Sequence, residues 1–197
     1  MTVLQSTRRS SWTYADYLQL EDSPRYEVLN GELHSMPAPD LAHQRVVRNA
    51  SVALWDFVRD GRHGEVLWSP IDVILDQKQT TVLQPDVVYV AADRAKRLLR
   101  RLGVFGAPDL VIEVLSPATT ERDRVQKKAL YKAARVAEYW LLDPTRERGE
   151  VHCLEPSGEP VDFTLTGSAD VGSAGRTLLQ SRVLPEWTLD LAAVFRE

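Results

Sequence analysis

Pro108-Asp109-Leu110-Val111-Ile112-Glu113-Val114-Leu115-Ser116-Pro117 sets a carboxylate inside an apolar run and closes the run with a helix start. Leu110 to Leu115 reads as a buried strand. Ser116 is a candidate N-cap, with Pro117 at the first helical position, where a missing N–H costs nothing. Thr120 and Asp123 offer a capping-box start one turn later. The helix is expected to reach about Ala134, and Glu138-Tyr139-Trp140-Leu141-Leu142 then returns as a strand. Strand, helix and strand in this order imply a right-handed parallel crossover. The middle of the sheet is therefore expected to be covered on both faces. The class is α/β, a mixed central sheet flanked by helices.

Outward from this unit, Val82 to Val90 reads as a strand, and Glu65 to Leu75 as a β-like stretch interrupted by Pro70. Asp93 to Leu102 reads as a basic helix ending at Gly103. Val46, Val47, Ala50, Ala53, Leu54, Phe57 and Val58 keep the spacing of an amphipathic helix that Asp40 caps and Gly61 ends. Asn30-Gly31 between Tyr26-Glu27-Val28-Leu29 and Glu32-Leu33-His34 predicts an N-terminal two-residue hairpin. Thr13 to Leu20 reads as a short helix with Thr13 as N-cap. Downstream, Val151 to Leu154 is the expected hairpin partner of the Glu138 strand. Shorter strands are expected around Phe163 and Leu178, and a short helix from Leu189.

The 197 residues suffice for one buried core, so residues 1–197 are expected to form a single domain. A hydrophobic content of 44% with 26% charged residues is ordinary for a globular chain. No stretch has the apolar length of a signal peptide or membrane span, so no membrane partner and a cytoplasmic location are expected. Cys153 is alone, and His34, His43, His63 and His152 lack zinc-ligand spacing. No nucleotide-binding glycine loop and no nucleophile–base motif is present. Net charge is −4, yet residues 92–135 hold 11 Lys and Arg against 5 Asp and Glu. That segregation builds local positive potential on an acidic chain, or simply solvates a helix face.

The chemistry is signalled by acids in apolar strands: Asp72, Asp86 and Glu113. A carboxylate buried without a partner costs several kcal/mol or takes up a proton. Pairing with Lys or Arg explains any one of them; metal coordination explains the three together. Adjacent strands lie about 4.8 Å apart, so Asp86 and Glu113 on neighbours can share a hard cation of Mg²⁺ or Mn²⁺ type. Asp109 shares a face with Glu113 but lies about 13 Å along the same strand, too far to share an ion. Asp123, Lys127 and Tyr131, spaced four apart, line one helix face. Lys127 either reaches the sheet end near Glu113, where an amine can orient a water or neutralise a phosphate, or pairs with Asp123 on the surface. Arg124, Lys128, Lys132 and Arg135 line another face and, with Lys96, Arg97, Arg100 and Arg101, form a candidate phosphate-contacting surface. Arg97, Arg101, Lys128 and Lys132 are its candidate nucleic-acid contacts. No sequence-reading DNA motif accompanies them.

Taken in order, Tyr26-Glu27-Val28-Leu29-Asn30-Gly31-Glu32, His43-Gln44, Pro70-Ile71-Asp72-Val73, Gln84-Pro85-Asp86-Val87-Val88, the Pro108–Pro117 stretch, Asp123-Arg124 with Lys127 and Tyr131, Glu138-Tyr139-Trp140 and Leu184-Pro185-Glu186-Trp187 resemble the Uma-two family of restriction-endonuclease-like proteins. The resemblance implies a PD-(D/E)XK nuclease core and phosphodiester hydrolysis with Mg²⁺ or Mn²⁺. It implies nucleic acid as partner, DNA first, and a homodimer as the form that cuts both strands. It carries over Asp86 and Glu113 as catalytic metal ligands. The motif lysine expected two residues after Glu113 is replaced by Leu115, which makes Lys127 its substitute. Glu32 is expected to add a ligand or act as base, and His43, Asp72, Ser116, Asp123 and Tyr131 to surround the site. The alternative is a nuclease-fold module that binds nucleic acid or protein without catalysis.

Overall fold

The computed structural model describes residues 11–20, 25–61, 63–155, 162–172 and 177–196. In chain order the elements are α1 (Tyr14–Tyr17), β1 (Tyr26–Leu29), β2 (Glu32–Ser35), α2 (Leu41–Gly61), β3 (Gly64–Trp68), β4 (Val73–Ile74), β5 (Val82–Leu83), β6 (Val87–Ala91) and α3 (Ala92–Leu98). There follow β7 (Leu99–Arg100), β8 (Gly103–Phe105), β9 (Leu110–Val114), a π-wound segment (Arg122–Lys127) running into α4 (Lys128–Ala133), β10 (Glu138–Asp143), β11 (Arg148–Leu154), β12 (Phe163–Asp170), β13 (Leu178–Gln180), β14 (Thr188–Asp190) and α5 (Leu191–Val194).

These strands form two six-stranded sheets and a two-stranded ribbon, β13–β14. The first sheet has the order β2-β1-β5-β4-β8-β7 and the second β12-β11-β10-β9-β6-β3. The expected hairpin is present, with Asn30 at φ 50° and Gly31 at φ 84°, the pair of positive angles that a tight primed turn requires. β9 and β10 are parallel, with Ile112 opposite Trp140, and every residue of both is buried. One face packs Ile112, Trp140 and Leu142 against Leu54 of α2 and Leu191 of α5. The other packs Val111, Tyr139 and Leu141 against Tyr131 of α4. Glu113 alternates with Ile112 and so looks toward α4.

The expected strand from Val82 to Val90 is two strands in two sheets. Val82 and Leu83 pair in the first sheet, Val87 to Ala91 in the second, and Gln84-Pro85-Asp86 carries the chain between them. The Glu65–Leu75 stretch divides in the same way at Ser69-Pro70. Proline has no N–H to place in a ladder, so both crossings fall where it stands. They lie side by side, joined by the Ser69 N–H donating to Asp86 O at 3.0 Å. This seam positions the site.

The basic helix is shorter than its sequence suggests. α3 ends at Leu98, and Leu99-Arg100 turns back as β7 to pair with β8. Burying Val104 opposite Leu99 outweighs the helix propensity of the Leu and Arg residues that follow. At the other end of the β9–β10 crossover, Ser116 heads a turn, with Thr119 and Thr120 N–H groups both donating to its carbonyl. The π winding begins at Arg122.

Candidate active site

Beyond the last paired couple, Val87 with Ile112, the β6–β9 register brings Asp86 level with Glu113. Asp86 Oδ2 accepts the Val114 N–H at 2.8 Å and lies 3.3 Å from His43 Nε2 at the start of α2. Glu113 is 3% exposed. Its Oε1 accepts from both Lys127 Nζ, at 3.0 Å, and the Tyr131 hydroxyl, at 2.8 Å. Asp86 and Glu113, apart in sequence, therefore edge one cavity of about 220 Å³.

The lysine comes from the π-wound turn. There the Lys128 N–H bonds back to the Asp123 carbonyl, five residues earlier. Such single wide turns recur at functional sites. Asp123 and Lys127, four apart, both point inward and are 2% and 3% exposed. Their separation is 3.5 Å, so this is a buried pair and the surface-pair alternative falls. Lys127 Nζ also lies 2.8 Å from Glu27 Oε1 on β1, in the other sheet.

Glu27 is the residue that sequence reading passed over. It is fully buried. Its Oε1 accepts the Gln84 N–H at 2.8 Å, and its Oε2, likewise buried, has no hydrogen-bond partner among the described residues. The Arg122 guanidinium lies 3.9 Å from that oxygen. A glutamate in a hairpin strand carries little signal, because hairpins commonly have one wet face. Arg25 was also passed over. It lines the cavity and is held by Gln84 Oε1, at 2.6 Å from Nη2, and by Ser69 Oγ, at 2.8 Å.

Three carboxylates, Glu27, Glu113 and Asp123, thus meet one lysine ammonium, and Asp86 lines the same cavity. Burial raises the Glu113 carboxyl well above its usual range, and Asp123, Asp86 and Glu27 add to the rise against the opposing pull of Lys127. Asp123 is raised by burial in the same way. Burial pulls Lys127 down, but Glu113, Glu27 and Asp123 together outweigh it and hold the ammonium protonated. Burial also lowers His43, and its contact with Asp86 more than reverses that.

Not every expected residue converges. Ser116 and His43 line the cavity, and Tyr131 supports Glu113 from below. Glu32 does not converge: its side chain is 81% exposed and faces His34 at 3.7 Å. Asp72 sits in the first sheet, bound by Tyr14, Tyr17 and Gln84, and reaches the cavity only through Gln84. Asp109 accepts the Ala91 N–H at 2.8 Å and a bond from Arg94, which makes it a structural clamp. The candidate phosphate surface is largely paired within the chain: Arg124 with Glu150, Lys132 with Asp162 and Lys128 with His152. Arg97 and Arg101 are exposed, one on α3 and the other in the β7–β8 turn.

Metal fit turns on the same groups. Among the described residues no three Asp, Glu, His or Cys side chains stand in a ligating cluster. A hard cation of Mg²⁺ type needs less, because it takes one or two carboxylates and keeps several waters. Asp86 and Glu113 supply two, and the orphaned Glu27 Oε2 is a buried acceptor beside them. The donor set, carboxylate oxygens with one left unpartnered, fits the chemistry of such an ion.

The family model described as "Putative restriction endonuclease", Uma2, matches residues 14–192. The chain belongs to the Uma2 family. The fold is shared with the crystal structure of a "putative nuclease" of Anabaena variabilis assigned to DUF820, at a TM-score of 0.71 and 17% identity, covering 93% of this chain and 97% of that one. No curated protein matches. Among the described residues no helix is long and apolar enough to cross a membrane. Within this Uma2 chain the seam cavity collects Asp86, Glu113 and Lys127, the three residues that the family resemblance singles out.

Proposed function

We propose that this protein is a divalent-metal-dependent endonuclease that hydrolyses phosphodiester bonds in nucleic acid. The observation that carries the reading is the cavity at the seam of the two sheets, where Glu27, Glu113 and Asp123 meet Lys127 and Asp86 joins them in the lining.

Asp86 and Glu113 would hold Mg²⁺ or Mn²⁺. Bound there, the ion would supply an activated water and neutralise charge on the phosphoryl oxygens. Lys127, kept protonated by the three carboxylates it touches, places a fixed positive charge where the pentacoordinate phosphate gathers negative charge. Tyr131 fixes the Glu113 carboxylate by its 2.8 Å hydrogen bond. The unpartnered Glu27 Oε2 is an acceptor for a water proton at the same centre. Arg25, braced through Nε and Nη2 by Gln84 and Ser69, lines the cavity with a fixed positive charge that suits a phosphate oxygen.

The rival reading is a binding module without turnover. What favours it is Glu113 Oε1, which already accepts from Lys127 and Tyr131. Purified protein incubated with DNA or RNA and Mg²⁺ or Mn²⁺ separates the two. The nuclease reading expects cleavage that chelation stops and that Asp86→Asn and Glu113→Gln each abolish. Cleavage that survives both substitutions overturns it.

A further inference from the structure

A second cavity, of about 250 Å³, opens beside the first. Its walls are the buried Val47 and the exposed Val52 and Trp55 of α2, and Trp68 at the end of β3, with Arg48 also in the lining. Trp55 and Trp68 are 40% and 52% exposed, although their large apolar faces would ordinarily be covered. Gln44 and Ser69 line both cavities, so the two spaces adjoin along the seam. Ser51, also in the lining, is 6% exposed, and its Oγ has no hydrogen-bond partner among the described residues.

We propose that this groove seats one unstacked nucleobase next to the scissile phosphate, so that the substrate is single-stranded or locally unpaired nucleic acid. The inference rests on the nuclease reading of the adjoining cavity. Two indoles give flat, sequence-tolerant stacking surfaces, which is how single strands are gripped. The volume falls below the about 300–1,000 Å³ of a pocket for a drug-sized ligand, which suits a single ring system. A seryl hydroxyl can meet either a donor or an acceptor on a base edge. Two cations stand near the groove for the backbone: Arg48 in its lining and Arg25 bound to the shared Ser69, whereas Arg59, with its Cζ 4.2 Å over the Trp55 ring, is paired with Asp56 and Asp60. A base inside an intact duplex is covered by its neighbours and cannot enter such a groove.

The test uses the full chain and a fluorescently labelled mixed-sequence single strand, as DNA and as RNA, against the duplex formed with its complement. Binding is read by anisotropy in EDTA, and stacking by quenching of indole emission. The expected result is tighter binding of the single strand than of the duplex, with emission quenched. Trp68→Ala and Trp55→Ala should each weaken single-strand binding about 5- to 150-fold. Trp68→Phe should keep most of the affinity while removing part of the quench. Because both side chains are exposed, melting curves of the variants should overlay that of the parent. Equal affinity for duplex and single strand, or affinity indifferent to both alanine variants, overturns the proposal. So does a dimer in sedimentation velocity that the tryptophan variants dissociate, since a second copy would then cover the groove. Tryptophan-dependent single-strand binding without any metal-dependent cleavage leaves the groove standing and removes the nuclease reading. Cleavage indifferent to the tryptophans does the reverse.

Discussion

Lys127, on a turn that packs over one sheet, extends its ammonium to 2.8 Å from Glu27 on the other. The same nitrogen is 3.0 Å from Glu113 and 3.5 Å from Asp123. One cation thus neutralises acids from both halves of the fold. Removing it would leave three buried carboxylates facing one another.

Lys127→Met is therefore expected to lower stability by about 3–5 kcal/mol, the usual cost of stripping one member from a buried charge cluster. Urea denaturation monitored by circular dichroism measures it. Glu113→Gln should cost less, because Glu27 and Asp123 still pair with the lysine.

Glu27 and Glu32 flank the same turn and should behave oppositely. Glu27→Gln is expected to reduce Mn²⁺-dependent cleavage by about 100-fold or more, whereas Glu32→Gln, altering an exposed side chain, leaves it unchanged. Initial rates on one labelled substrate make the comparison. Equal losses at both positions would return Glu32 to the site.

Asp109 should prove structural. Asp109→Ala loses the bonds from Ala91 and Arg94, at an expected cost of about 1.5–3 kcal/mol. The cleavage rate constant that the proposed function expects of the folded protein should stay unaltered. Thermal melts and single-turnover cleavage read the two effects separately.

Stability should fall in acid partly through Glu150. Burial raises this carboxyl, but its double contact with Arg124 prevails and holds it below the usual range. A depressed carboxyl stabilises the fold above the unfolded value of about 4.3, and that contribution fades as pH falls through the lower folded value. Glu150→Gln is expected to lose stability at neutral pH and to flatten the acid limb of a melting temperature against pH curve.

Much of this was legible in the chain. The Asn30-Gly31 turn, the α2 stripe and the two strands around the β9–β10 crossover follow from residue chemistry acting over short distances. Asp86 and Glu113 were legible because acids in apolar strands are conspicuous. Glu27 was not, since a strand of the pattern Tyr26-Glu27-Val28-Leu29 gives no hint that its charged position is fully buried. The allocation of Val82-Leu83 and Val87–Ala91 to different sheets was equally hidden. Residue periodicity reports which way a side chain points, and it does not say which neighbour a strand finds after a proline. The early end of α3 was lost for a related reason, because pairing of Leu99 with Val104 is a tertiary preference.

The seam where the Ser69 and Asp86 backbones meet has a mechanical consequence. The amide hydrogen bond joins the two crossing segments to each other, and the side chains gathered on Lys127 tie the two sheets together beside it. A ligand settling among those side chains would tighten both sheets at once. Amide protons as far apart as β1 and β10 should then slow their exchange together, like two boards drawn up by a single bolt.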